Sequence, residues 1–281
     1  MQFFPAFISL TLAFASAIAG AFYGRQLRRV GIRPGNRLRL RDVPVIAALV
    51  AVLLGVVLPV LWIRNYPALF WHFPLSFQYY SGPLAWTFSV SFFCFVFFAI
   101  AVMYAPPQSW QGKGLLVFGI CAAIFSEILI QESPFLQPIR VEAVRVVDGV
   151  VLQSTGATCA AAAAANIVRF YGEPKSEQEM IDLLGTTEFG TSTGQVFHGL
   201  SQSGFTCIRR TLEDGDFTQL HAPALLFVDF GSDPLGHVVC FMGEREGKAE
   251  IWNPQGGKTW QTREQLAASW HGHALEVYKE R

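Results

Sequence analysis

The sequence predicts an α-helical membrane region of about four transmembrane helices in residues 1–130, followed by an α+β domain in residues 131–281. Of the 281 residues, 52% are hydrophobic and only 15% are charged, whereas soluble domains usually carry about 25% charged residues. Between positions 43 and 130 the only charged residues are Arg64, Lys113 and Glu127. Because the chain has no net charge and no basic tail, we do not expect nucleic acid to be a partner.

Four apolar runs carry the membrane prediction, because a helix needs about 20 mostly apolar residues to cross the hydrocarbon core. They are Phe3–Tyr23, Val43–Ile63, Leu84–Tyr104 and Gly114–Ile130. The first run lacks the positive n-region of a signal peptide, so we interpret it as an anchoring helix. The lipid bilayer is therefore an expected partner of this region.

The distribution of arginine predicts the orientation of these helices. Seven arginines and no acidic residue lie between Arg25 and Arg41, which is typical of a cytoplasmic loop. The aromatic loop from Arg64 to Pro83 is then expected at the opposite membrane interface. With four spans in a bacterial inner membrane, the C-terminal domain is extracytoplasmic. If the short fourth run does not span, the domain is cytoplasmic instead.

The C-terminal half alternates segments typical of strands and of helices. Strands are predicted at 141–147, 150–153, 206–210, 224–230, 237–243, 249–253 and 274–278. Helices are predicted at 159–170, 177–184, 193–202 and 262–270. A capping box, Ser176 to Glu179, opens the second of these helices. Helices followed by an antiparallel meander with one late helix indicate an α+β domain.

Four residues of this half form a candidate catalytic set. Cys159 is at the first turn of a predicted helix, where unsatisfied backbone N–H groups favour the reactive thiolate. Gln153, six residues upstream, can direct its amide to the same point and complete an oxyanion hole. His237 begins one strand and Asn253 ends the next, and antiparallel pairing can bring two such positions together. Asn253 would then orient His237 as the base for a thiol nucleophile.

These residues resemble the bacteriocin-processing cysteine peptidases, papain-like domains that remove double-glycine leader peptides. The resemblance covers roughly residues 141–279 and rests on Gln153, Cys159, Asn166–Gly172, Gly190–Ser192, Gly236–Val239, Asn253–Pro254 with Gly256, and Ala268–Gly272. It implies that Cys159 is the nucleophile and His237 the base. It further implies that Asn253 is the third member of the triad and that Gln153 donates to the oxyanion.

The sequence departs from that family in three ways. Ala160 follows the nucleophile where the family usually has glycine, and Asn253 stands where the family usually has aspartate. Asparagine is the residue that papain itself uses, and it can orient a histidine. Many relatives are fused to an export ATPase, but this sequence contains no P-loop motif.

The sequence therefore predicts a membrane-anchored cysteine endopeptidase that acts on leader or other peptide segments. The alternative is a catalytically degenerate peptidase-like domain that binds leader peptides for a separate exporter. Neither function needs a cofactor, and His271 with His273 lacks the further ligands of a zinc site. Cys207 and Cys240 could form a disulfide if the domain is outside the cytoplasm.

Overall fold

The computed structural model describes residues 3–29, 70–104, 137–142, 145–230 and 233–279, with single positions at 110, 113, 114, 117, 119–121 and 124. In these ranges the helices are α1 (Phe3–Arg29), α2 (Leu75–Tyr104), α3 (Cys159–Phe170), α4 (Glu177–Leu184), α5 (Thr193–Gln202) and α6 (Arg263–Ala267). The strands are β1 (Arg145–Val147), β2 (Val150–Leu152), β3 (Phe205–Thr211), β4 (Ala224–Phe230), β5 (Asp233–Arg245), β6 (Lys248–Asn253), β7 (Gly257–Gln261) and β8 (Trp270–Lys279). The chain forms two compact units, residues 1–64 with 80–132, and residues 65–79 with 133–281.

The prediction of about four transmembrane helices is wrong for the part of the chain that the structure describes, where no helix is long and apolar enough to cross a membrane. The last turns of α1 contain Arg25, Arg28 and Arg29, and such charges are costly in hydrocarbon. The extracytoplasmic placement of the C-terminal domain stays a prediction.

Two of the predicted apolar runs fall on residues that the structure does not describe. The run Val43–Ile63 and most of the run Gly114–Ile130 lie outside the described residues. Within the first unit, Ala13 of α1 packs with Val90, Cys94 and Phe98 of α2 in a small core.

The second unit is α+β, as predicted, and is built on a six-stranded antiparallel sheet. The strand order is β3-β8-β4-β5-β6-β7. The meander prediction is therefore wrong at one place, because β8 is inserted between β3 and β4 and pairs with both. Strand β7, which pairs with β6 from Ala249 to Asn253, was not predicted from the sequence.

Helix α3 covers one face of this sheet and fixes where the candidate nucleophile lies. It starts at Cys159 and ends at Phe170, as predicted. Ala160 to Ala165 are at most 1% exposed, and these small side chains allow the helix to lie close to β5. The Cys240 thiol of β5 donates to the Ala163 carbonyl oxygen at 3.2 Å, which holds α3 against the strand that carries His237.

The segment from Phe70 to Tyr79, here called the strap, packs on the second unit. From the sequence, this aromatic stretch was expected at a membrane interface. Instead, Trp71 is only 4% exposed and its indole N–H donates to Thr211 Oγ1 at 3.0 Å. The Trp71 ring stacks on His273 at 4.6 Å between centroids and also contacts Phe227 at 5.2 Å.

Polar contacts fix the backbone of the strap as well. Arg209 donates to the carbonyl oxygens of Trp71 and Phe73 at 2.7 and 2.9 Å. Ser192 Oγ, which also caps α5, donates to the Gln78 carbonyl oxygen at 3.1 Å. Gly194 allows this close approach, because a Cβ there would overlap backbone atoms of the strap. The strap is therefore a docked part of the second unit.

Candidate active site

The loop before α3 is held in place by buried polar side chains. Asn166 accepts from the Val151 N–H at 2.7 Å and donates to the Val151 carbonyl at 3.0 Å. Glu177, which is fully buried, accepts from the N–H of Ser154 at 2.8 Å and from its hydroxyl. These contacts tie the start of the loop to α3 and α4. In the sequence Glu177 belongs only to a capping-box segment, and no local pattern indicates its contact with a loop 23 residues away.

Cys159 is the first residue of α3 and is half-buried. Thr158 is the N-cap, as predicted, but its hydroxyl makes no cap bond and instead donates to the Thr155 carbonyl at 3.1 Å. The Thr158 side chain therefore does not compete for the N–H groups of the first turn. Those groups and the helix dipole favour negative charge at this helix end, as a thiolate nucleophile requires.

His237 and Asn253 meet as the sequence predicted. His237 is 6% exposed, and its Nε2 lies 2.9 Å from Asn253 Oδ1. The Gln255 N–H also donates to that oxygen, at 2.9 Å, which fixes the orientation of the Asn253 amide. Because the amide oxygen only accepts hydrogen bonds, it assigns the imidazole proton to Nε2. The proton-accepting atom of the neutral ring is then Nδ1.

The backbone of Gln153 is hydrogen-bonded to the residue that follows Asn253. Its N–H donates to the Pro254 carbonyl oxygen at 2.8 Å, so the loop before Cys159 is bonded to the turn that follows Asn253. The side-chain Nε2 donates to the Thr155 carbonyl at 3.0 Å. Hydrogen bonds thus join His237 to Asn253 and the Gln153 backbone to Pro254, while the catalytic role of Cys159 and the role of Gln153 at an oxyanion stay predictions.

Cys159 is more exposed to solvent than the other two cysteines of the second unit. Cys207 and Cys240 are buried free thiols, so they do not form the disulfide that the sequence left open. Burial raises the pKa of Cys207 to about 12 and raises the pKa of Cys240 as well. Neither thiol is suited to form a nucleophilic thiolate near neutral pH.

A cavity of about 260 Å³ opens next to the His237–Asn253 pair. It is lined by Val228, Asp229, His237, Val239, Ile251, Asn253, Gln261, Leu266 and Ser269. The sequence did not predict it, since its walls come from four strands, α6 and the turn after that helix. A thiol at a helix start, an oriented imidazole and a cavity beside that imidazole are together suited to covalent hydrolysis of an acyl group.

Residues 148–281 match the model of the Peptidase C39 family. No curated protein matches the sequence. The fold is similar to the peptidase domain of Streptococcus ComA, a bi-functional ABC transporter, at 21% identity and a TM-score of 0.43, over 46% of this chain and 96% of that one. It is also similar to a double glycine motif protease from an AMS/PCAT transporter, at 19% identity and a TM-score of 0.42, over 49% and 92% of the two chains.

Proposed function

We propose that this chain cleaves peptides through Cys159, because residues 148–281 match the model of the Peptidase C39 family, a family of cysteine peptidases. His237 is the base, Asn253 orients it and Gln153 contributes to the oxyanion hole. The single observation that carries this assignment is the 2.9 Å bond between His237 Nε2 and Asn253 Oδ1. That bond leaves Nδ1 as the atom that takes the proton from the Cys159 thiol.

The reaction then runs in two steps. In the first, the Cys159 sulfur bonds to the carbonyl carbon of the scissile peptide, the C–N bond breaks, and the imidazolium gives its proton to the leaving amine. In the second, His237 takes a proton from water, the resulting hydroxide attacks the thioester carbon, and the sulfur leaves as the thiolate. The negative oxygen formed in each step is stabilised by the Cys159 N–H and the Gln153 amide.

The proposed substrate is a leader-bearing peptide that is cleaved after two glycines. The resemblance of the catalytic string to the bacteriocin-processing peptidases supports this substrate class. A separate export transporter is the corresponding proposed partner, and it rests on the same resemblance.

Cleavage of a double-glycine leader peptide by the purified full chain tests this function. The Cys159→Ala variant should lose all peptide-bond cleavage that exceeds the rate in buffer. Cys121→Ala is the matched control, because Cys121 is an exposed thiol outside the candidate site, and it should cleave at the wild-type rate. Unchanged cleavage by Cys159→Ala would show that another residue is the nucleophile.

The purified full chain and the leader peptide also distinguish a peptidase from a domain that only binds peptides. A leader peptide that binds the wild-type chain and is never cut would support a binding domain. In that case a peptide carrying a thiol-reactive group at its cleavage site should show no selectivity for Cys159 over Cys121.

A further inference from the structure

The cavity beside His237 has an apolar floor that the catalytic residues do not use. Val239 of β5, Ile251 of β6 and Leu266 of α6 line it and are otherwise almost completely buried, at 4%, 1% and 1% exposure. His237 and Asn253 form one end of the same cavity. A group bound there therefore lies beside the His237 imidazole.

The rim of the cavity is polar and carries one carboxylate. Asp229, Gln261 and Ser269 line it, and the Asp229 side chain is 73% exposed. Asp229 lies where the pairing of β4 with β5 shifts register between Val228 and Phe230, and such bulges commonly redirect a side chain next to active sites. The Asp229 N–H donates to the Ser269 carbonyl oxygen at 2.8 Å, which joins the two sides of the rim.

The charge around this rim is negative. Asp229 Oδ2 lies 3.1 Å from His271 Nε2, while Asp214 Oδ2 lies 3.2 Å from His271 Nδ1. Two carboxylates thus share one imidazole, and their charges exceed that of the ring even when the ring is protonated. None of the lining residues that the structure describes is a lysine or an arginine.

We propose that this cavity binds a substrate side chain at the first or second position after the scissile bond and selects lysine or arginine there. The inference rests on the peptidase function proposed above. The apolar floor accommodates the methylene stem of such a side chain, while its charged end reaches the Asp229 carboxylate at the rim. Asp229 is then a specificity-determining residue, and Val239, Ile251 and Leu266 supply the contact with the stem.

Short synthetic peptides with a central Gly-Gly test this specificity in the full chain. The first or the second residue after Gly-Gly is lysine, norleucine or glutamate, which compares a charged stem with an uncharged one of similar length. At one of the two positions the wild type should cleave the lysine peptide with a kcat/KM at least about fivefold above the norleucine peptide, and should cleave the glutamate peptide most slowly. The Asp229→Asn variant should reduce the ratio of kcat/KM for the lysine peptide to that for the norleucine peptide to less than about twofold.

Asp214→Asn is the matched control, because it removes the other carboxylate that contacts His271 but does not line the cavity. Its lysine preference should stay above about twofold, because the Asp229 carboxylate that reaches the substrate is still present. Wild-type cleavage without any preference for lysine, or a preference that survives Asp229→Asn, overturns the inference and leaves the proposed function intact. Failure of the wild type to cut any of these peptides or a leader peptide overturns both.

Discussion

The docked strap predicts a large loss of stability when Trp71 is replaced. The Trp71 side chain is 4% exposed, and replacing a buried aromatic residue with alanine typically costs about 3–5 kcal/mol of unfolding free energy. That range already includes the stacking on His273 and the contact with Phe227, so these are not added again. The lost hydrogen bond to Thr211 leaves a hydroxyl that water can reach, at a cost of about 1 kcal/mol or less. We expect Trp71→Ala to destabilise the second unit by about 3–5 kcal/mol, a fall on the order of 10 °C in Tm.

Thermal unfolding of the full chain, followed by circular dichroism, measures this loss. Trp260→Ala is the control, because it deletes the same side chain from β7 at a position that is 46% exposed, and it should cost about 1 kcal/mol or less. Thr211→Val removes only the hydrogen bond to Trp71 and should lower stability by about 1 kcal/mol. If Trp71→Ala and Trp260→Ala unfold at the same temperature, the strap is not docked as described.

Three further predictions concern single side chains. In the native chain at pH 8, Cys207 should resist alkylation by a maleimide, because burial raises its pKa to about 12, and it should react once denaturant is added; native labelling at the rate of Cys121 would contradict this burial. Hydrogen bonding to Asp214 raises the pKa of His271 in the folded chain. The stability that protonated His271 contributes is therefore fully present below its pKa in the unfolded chain, about 6.5. That contribution is lost as pH rises through the higher folded pKa, and the difference in unfolding midpoint between wild type and His271→Gln should shrink between pH 5.5 and 8.5; a constant difference argues against the ion pair. Glu177→Gln should reduce stability by about 1–3 kcal/mol in chemical denaturation, because the amide cannot accept both bonds from Ser154; an unchanged midpoint would show that this anchor is dispensable.

Local sequence signals predicted the helices around the site well. The limits of α3 and α5 agree with the prediction, and the capping box expected from serine–acid spacing is formed at α4. These features depend on hydrogen bonds within one turn of helix, so neighbouring residues suffice to specify them. The pairing of His237 with Asn253 was also predictable, since it follows from one tight hairpin.

Features that depend on distant contacts were not predictable in the same way. The strap reaches Thr211 across 140 positions, and aromatic residues in a loop fit a membrane interface as well as a protein surface. Strand β8 enters the sheet between β3 and β4, although adjacency in sequence favoured a meander. Strand β7 was missed because its five residues begin at a glycine and have exposed side chains for most of their length.

Selective labelling of the nucleophile tests the central claim most directly. The full chain is treated with a Gly-Gly peptide that ends in a thiol-reactive group, and the modified residues are identified by mass spectrometry. The account predicts one label, on Cys159, formed at least about 100-fold more slowly in His237→Ala and at the wild-type rate in His221→Ala, the control at an exposed histidine. Equal labelling of Cys159 and Cys121, or a Cys159 rate that is unaffected by His237→Ala, would contradict it.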